Sequence, residues 1–210
     1  MPTTTIHFVR HGKVYNPDHL LYERLPGFHL SDRGMRMAQA TGAYIAADPK
    51  LNAVAAVYSS PLERTRETAG AILDALNPVR AGRGEEPLEL ITDPRVIEAG
   101  NEFRGKRIGH GKGALWRDGN WKLVLNLWKP SWGESYRRIA ERVGAFANEK
   151  IREYAGRQII ANRLWWSATN RRFSVIAIIW RPATPSIGCS YARPRSRRSP
   201  RSPTTAIRAR

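Results

Sequence analysis

Cysteine is almost missing from this chain. Cys189 stands alone among 210 residues, so no internal disulfide can form and the composition fits a reducing cytoplasm. No run of eighteen apolar residues occurs, which excludes a membrane-spanning helix. Met1 to His11 lacks the basic stretch, apolar stretch and cleavage site of a secretory leader, so none is expected. Histidine is scarce as well: the chain holds His7, His11, His19, His29 and His110, and none follows. Acidic residues vanish near the C-terminus. From Arg157 to Arg210 there are twelve arginines and no Lys, Asp or Glu.

That last absence explains the net charge of +17. Of 35 Lys and Arg residues, twelve fall in this last quarter, leaving 23 basic against 18 acidic residues over positions 1–156. The chain is therefore an ordinary domain with a basic end, not a uniformly basic protein. At 41% hydrophobic and 25% charged residues, the composition is that of a globular protein, long enough for one sizeable core.

The pattern of elements predicts an α/β fold. Thr4 to Val9 reads as a strand rich in β-branched and aromatic residues. Lys13 to Leu30 shows no clean period and reads as loop. Ser31 is placed to cap a helix running to about Asp48, with Met35, Ala38, Thr41, Gly42 and Ile45 on one face and Pro49 ending it. Ala53 to Tyr58 is a continuous apolar strand, suited to a parallel sheet covered on both faces. Ser60 and Glu63 form a capping box, with Pro61 at the first helical position, and the helix is expected to reach about Leu76. A third strand spans Leu88 to Thr92. Glu98 to Pro130, rich in glycine and carrying Trp116, Trp121 and Trp128, reads as an excursion over the sheet edge. Ser131 to Glu134 suggests a second capping box opening a helix to about Tyr154, with Ile139, Val143, Phe146 and Ile151 inward. Gln158 to Ile160 begins a fourth strand. Alternation of strand and helix gives a three-layer α/β/α sandwich with a mainly parallel sheet. Ligands of such sheets bind at the carboxyl ends of the strands, where Arg10-His11-Gly12 and the start of the Ser60 helix both fall.

Those residues suit phosphate. Arg10 and Arg64 offer forked donors that match phosphate oxygens. The free N–H groups of a helix start near Ser60 favour an anion. A neutral imidazole beside a bound phosphoryl group is able to attack phosphorus and hold it covalently, and a nearby carboxyl group to protonate the leaving oxygen. Each signal alone is weak, since a histidine at a strand end is more often a structural hydrogen-bonding group.

In combination they carry a family resemblance. Phe8-Val9-Arg10-His11-Gly12, with Asn16 after it, resembles the opening of the histidine phosphatase superfamily, the phosphoglycerate-mutase-like class. Leu30-Ser31-Asp32-Arg33-Gly34 with Gln39-Ala40 is similar to that family's first helix, and Tyr58 to Ala69 to its second motif. Glu98, after Val96-Ile97 and ahead of Gly105, falls where the family places its acid, and Gly133-Glu134-Ser135 matches a further element. The resemblance covers residues 4–160. It implies that His11 accepts the phosphoryl group, that Arg10 and Arg64 clamp the phosphate with Asn16 assisting, and that Glu98 donates the proton, Glu102 being its nearest alternative. It implies phosphomonoester hydrolysis through a phosphohistidine, on a small phosphorylated substrate, without metal or organic cofactor. Hydrolysis is favoured over mutase activity, because the long aromatic-containing motifs of the glycolytic mutases are absent.

The resemblance stops near residue 160. The family's second catalytic histidine should follow a late apolar strand, but after Ile159-Ile160 the chain reads Ala161-Asn162-Arg163-Leu164-Trp165. His110 is the only other histidine able to substitute. This divides the chain into residues 1–160, a histidine-phosphatase-like domain incomplete at its C-terminal side, and an Arg/Ser/Pro-rich segment, 161–210, whose final stretch cannot readily bury a core. Phe173 to Trp180 retains strong β character. Three readings of that segment stand: a shifted reading frame near codon 160, a basic tail that contacts nucleic acid or another anionic surface, or a tolerated extension. With the histidine gone, catalysis is expected to be impaired, or the domain to act as an inactive or repurposed phosphate-binding protein. Oligomeric state leaves no mark in the sequence.

Overall fold

A computed structural model describes residues 4–107, 117, 133–162 and the backbone of 176–180. Five strands form one sheet: β1 (Thr4–Val9), β2 (Val54–Ser59), β3 (Leu90–Thr92), β4 (Gln158–Asn162) and β5 (Ile176–Trp180), in the order β3-β2-β4-β1-β5. The pairs β1/β4, β4/β2 and β2/β3 are parallel, and β5 runs antiparallel on the outer edge of β1. The helices are α1 (Asp32–Ala47), α2 (Glu63–Ala81) and α3 (Tyr136–Glu153), with a 3₁₀ turn at Pro94–Val96. The expected three-layer α/β/α fold is thus present.

The layers follow from the two-residue period of the strands. Val9, Val57 and Ile160 point to one face, where Ile45 of α1 and Ala69, Ile72, Leu73 and Leu76 of α2 cover them. Ile6, Ala56, Tyr58, Ile159 and Ala161 point to the other, where Phe146 and Ala147 of α3 and Val96 cover them. Both faces of the central strands are buried, which is why those strands read as unbroken apolar runs. Fully burying a side chain such as Ile160 stabilises the fold by roughly 1.5–3 kcal/mol.

Several boundaries differ from the sequence expectation, each for a local reason. Ser31 caps α1 as expected, accepting from the Gly34 N–H at 3.1 Å. Ser60 does not cap α2: its hydroxyl pairs with Thr65 Oγ1 at 2.7 Å, and Leu62 is the N-cap with no side-chain cap bond. Pro61 therefore lies outside the helix. α2 also passes Leu76 and tolerates Pro78 within its last turn. β3 starts at Leu90 rather than Leu88, whose N–H and carbonyl are both taken by the Asn77 side chain at 2.9 and 3.1 Å. Ser135, not Ser131, caps α3, accepting from the Arg138 N–H at 3.3 Å. Ser131, the three tryptophans of the Glu98–Pro130 excursion and His110 lie outside the described residues. The β character of Phe173–Trp180 appears as β5.

α1 and α2 touch where α1 has no side chain. A Cβ on Gly42 would sit 2.6 Å from the Ala71 carbonyl oxygen, whereas one on Gly70 meets nothing within 4 Å. Gly42→Ala is expected to destabilise the protein by about 1–3 kcal/mol through overpacking, while Gly70→Ala should stabilise it by about 0.5–1 kcal/mol through helix propensity. Urea denaturation of both variants checks the opposite signs.

Candidate active site

The carboxyl ends of β1, β4 and β2 lie level, with Asn162 in register with both Val9 and Ser59. His11 follows β1 by two residues, and Ser60 follows β2 directly. The turn carrying His11 is pressed against the start of α1. A Cβ on Gly12 would lie 2.2 Å from the Gly34 carbonyl oxygen, and one on Gly34 would lie 1.9 Å from that of Lys13. Neither position admits a side chain, so this pair of glycines sets how His11 is presented. The Gly12 N–H also donates to Thr68 Oγ1 of α2 at 3.2 Å, tying the turn to a second helix.

His11 is buried, and its Nδ1 lies 2.7 Å from the Gly12 carbonyl oxygen. A carbonyl oxygen only accepts, so Nδ1 carries the hydrogen and the neutral ring keeps its lone pair on Nε2. Nε2 is buried and has no hydrogen-bond partner. Burial, with the charges of Arg64 and Arg10 adding to it against the Gly12 bond, lowers the pKa to about 3. The ring is therefore neutral at pH 7, the form a nucleophile needs.

Arg64, in the first turn of α2, is fully buried. Its Nη2 donates to Glu98 Oε1 and to the Glu23 carbonyl, and its guanidinium lies 4.8 Å from the centroid of the Tyr22 ring. Its Nε and Nη1 are buried without partners, as is Glu98 Oε2. Buried polar groups are almost always paired. Four unsatisfied atoms of three neighbouring side chains, donors on Arg64 and a free lone pair on His11 among them, mark a place for an oxygen-rich group. Burial raises the Glu98 pKa, against the pull of Arg64, Arg24 and Arg10.

The structure brings His11, Arg64 and Glu98 together, with the Arg10 charge bearing on His11 and Glu98. Asn16 is engaged elsewhere: its amide donates to the Leu20 carbonyl at 2.8 Å and accepts from the Leu20 N–H at 3.0 Å, bracing its own loop. Glu102 is exposed. Sequence reasoning missed Tyr22 and Glu23, which sit in the stretch it treats as plain loop. Tyr22 stacks on Phe28, with ring centroids 5.2 Å apart, and meets His11 edge-on at 6.5 Å. Glu23 adopts φ 30°, a left-handed conformation non-glycine residues rarely take. Its pKa is raised to about 7 by burial and then by the charge of Glu98. Only the Tyr22–Phe28 spacing in a polar loop hinted at this lining. Among the described residues no group of three or more His, Cys, Asp or Glu side chains is arranged to hold a metal, and no helix is long and apolar enough to cross a membrane.

A parallel α/β/α sandwich with a histidine, an arginine and a carboxyl group gathered at its strand ends defines a phosphoryl-transfer class, and the comparisons agree. The chain belongs to the histidine phosphatase superfamily (branch 1), whose family model matches residues 6–162. It is 41% identical over 158 residues to the uncharacterized protein Rv0525 of Mycobacterium tuberculosis (strain ATCC 25618 / H37Rv), covering 75% of this chain and 71% of that one. Among solved structures, the fold is similar to a phosphoglycerate mutase from Bacillus anthracis str. Sterne (TM-score 0.62, 18% identity, 86% of this chain and 89% of that one). It is also similar to a mycobacterial glucosyl-3-phosphoglycerate phosphatase (TM-score 0.58, 19% identity, 76% and 73%).

Because the unfolded chain binds a proton at His11 near pH 6.5 and the folded chain only near 3, His11 destabilises the fold progressively as pH falls through that window. His11→Asn is expected to lose less stability than the unaltered protein between pH 6.5 and 3. Equal slopes in denaturation at a series of pH values would show the ring to be free to protonate in place.

Proposed function

We propose that the protein hydrolyses small phosphomonoesters through a phosphohistidine at His11. The observation that carries this reading is the buried, unpartnered Nε2 of a histidine whose Nδ1–H is fixed on the Gly12 carbonyl. In the first step Nε2 attacks phosphorus, the N–P bond forms and the ester P–O bond breaks. Glu98, whose proton affinity burial raises, serves as the acid and gives its proton to the departing oxygen. In the second step water attacks the phosphohistidine while Glu98 takes the water's proton; the N–P bond breaks and inorganic phosphate leaves. Arg64 supplies the free Nε and Nη1 donors to the phosphoryl oxygens, Arg10 adds charge, and Asn16 holds the loop that faces them. Metal and organic cofactors have no part in these steps.

All these groups lie within residues 1–160, and 161–210 supplies none of them. At the end of β4, Asn162 donates its amide to the Thr65 carbonyl at 2.9 Å, and its Oδ1 is unpartnered. No histidine follows His110 to supply the imidazole that the family places after this strand. Losing one preorganised donor costs on the order of 10²–10³ in rate, so slow turnover is the expectation. The absence of the long mutase motifs favours hydrolysis over transfer within one substrate.

A second reading, binding without turnover, draws on the same missing histidine. A functional basic tail draws on the twelve arginines and absence of acids from Arg157 onward.

Hydrolysis of p-nitrophenyl phosphate should be measurable and should be lost in His11→Ala. Equal inactivity of both proteins, with phosphate still bound in calorimetry, would replace catalysis with binding. Nucleic-acid affinity that falls steeply with salt and disappears on removal of residues 181–210 would make the tail functional.

A further inference from the structure

The buried acid is held by a device that the catalytic scheme leaves unused. Arg142, on α3, makes hydrogen bonds with all five of its N–H groups. Nε and Nη2 take the two oxygens of Glu134 at 2.9 and 3.0 Å. Nη1 donates to the carbonyls of Arg95 and Ile97 at 2.7 and 2.6 Å, and Nη2 also to that of Glu98 at 3.3 Å. Arg24, from the loop after β1, donates to the same Glu98 carbonyl at 2.8 Å and to Glu134 Oε2 at 2.6 Å. One carboxylate thus joins two guanidinium groups, and both of these grip the backbone of one residue.

The corner that bears Glu134 is docked on the same segment. A Cβ on Gly133 would lie 2.4 Å from the Gly100 carbonyl oxygen, and the Glu134 N–H donates to that oxygen at 3.1 Å. The network therefore fixes residues 95–100 by main-chain contacts and leaves the Glu98 carboxyl group to Arg64 and to whatever occupies the site.

We infer that Arg142, working with Glu134 and Arg24, is a positioning residue that sets the reach of the Glu98 carboxyl group and so governs proton donation to the leaving group. The inference rests on the phosphatase reading above. An acid matters most when the leaving oxygen is strongly basic and least when it is not. A residue that positions the acid should therefore separate alkyl from aryl esters, whereas a residue that merely holds the fold together should affect both alike.

The test uses the full chain with p-nitrophenyl phosphate and a simple alkyl phosphate such as glycerol phosphate. A general acid is typically worth 10²–10⁴ in rate, so Arg142→Lys, which keeps the charge but loses the fork, should slow the alkyl ester about ten-fold or more beyond its effect on the aryl ester. Adding Glu98→Gln should cost little more on the alkyl ester, because both changes remove the same proton transfer. Equal losses on the two esters, or additive losses in the double variant, would overturn the inference. If Arg142→Lys fails to fold, Glu134→Gln, which keeps the shape and removes the joining charge, makes the same comparison. A protein without His11-dependent turnover of either ester overturns the phosphatase reading, and this inference with it.

Discussion

The ion pair between Arg64 and Glu98 is the constraint around which the site is built. Both side chains are buried, at 0% and 3% exposure, and withdrawing two such charges from water costs several kcal/mol per ion. The protein offsets part of this with the Glu23 carbonyl and the face of Tyr22. It leaves two guanidinium nitrogens and one carboxyl oxygen unsatisfied. An arrangement so short of partners persists only if its surroundings hold it. Three separate segments do so: the first turn of α2, the loop carrying Tyr22 and Glu23, and the stretch from the 3₁₀ turn to Gly100. Each is anchored away from the pair: α2 by its Thr68 and by Asn162 of β4, the loop by Asn16, and the third stretch by Arg142 behind Glu98.

Burial also assigns the chemical roles. The same loss of water that drives the His11 pKa down drives the Glu98 pKa up, because in both cases the neutral form is favoured. A neutral imidazole is a nucleophile, and a carboxyl group with raised proton affinity is better suited to act as an acid, so one physical cause favours both roles in a phosphoryl transfer. The opposing influences are local. The Gly12 carbonyl supports the imidazolium, Arg64 supports the carboxylate, and neither outweighs desolvation.

Much of this was legible in the sequence because it depends on neighbours along the chain. The apolar runs of β1, β2 and β4, the Ser31 cap, and the Arg10-His11-Gly12 turn are local features, and the structure keeps them. Ser60 was misread because its capping pattern is real as a sequence but its hydroxyl found Thr65 first. Tyr22, Glu23 and Arg24 carry no period and no motif. They matter only because the chain folds back on Glu98, some seventy residues later, and that distance is invisible to any local pattern. Arg142 sits among the many charges of its helix, with nothing in its spacing to mark a side chain that divides its donors between Glu134 and the backbone of residues 95–98.

The sheet order has a consequence for how the chain is made. β1 and β2 do not touch; β4, the last of the four parallel strands to be synthesised, lies between them. Neither half of the core can close until about 160 residues have left the ribosome, and pairing at such sequence separation is slow to nucleate. Until then the apolar edges of β1 and β2 stand open, as do the Arg64 and Glu98 charges that the closed fold keeps from water. The match to the family ends at Asn162, the last residue of the strand that completes this closure.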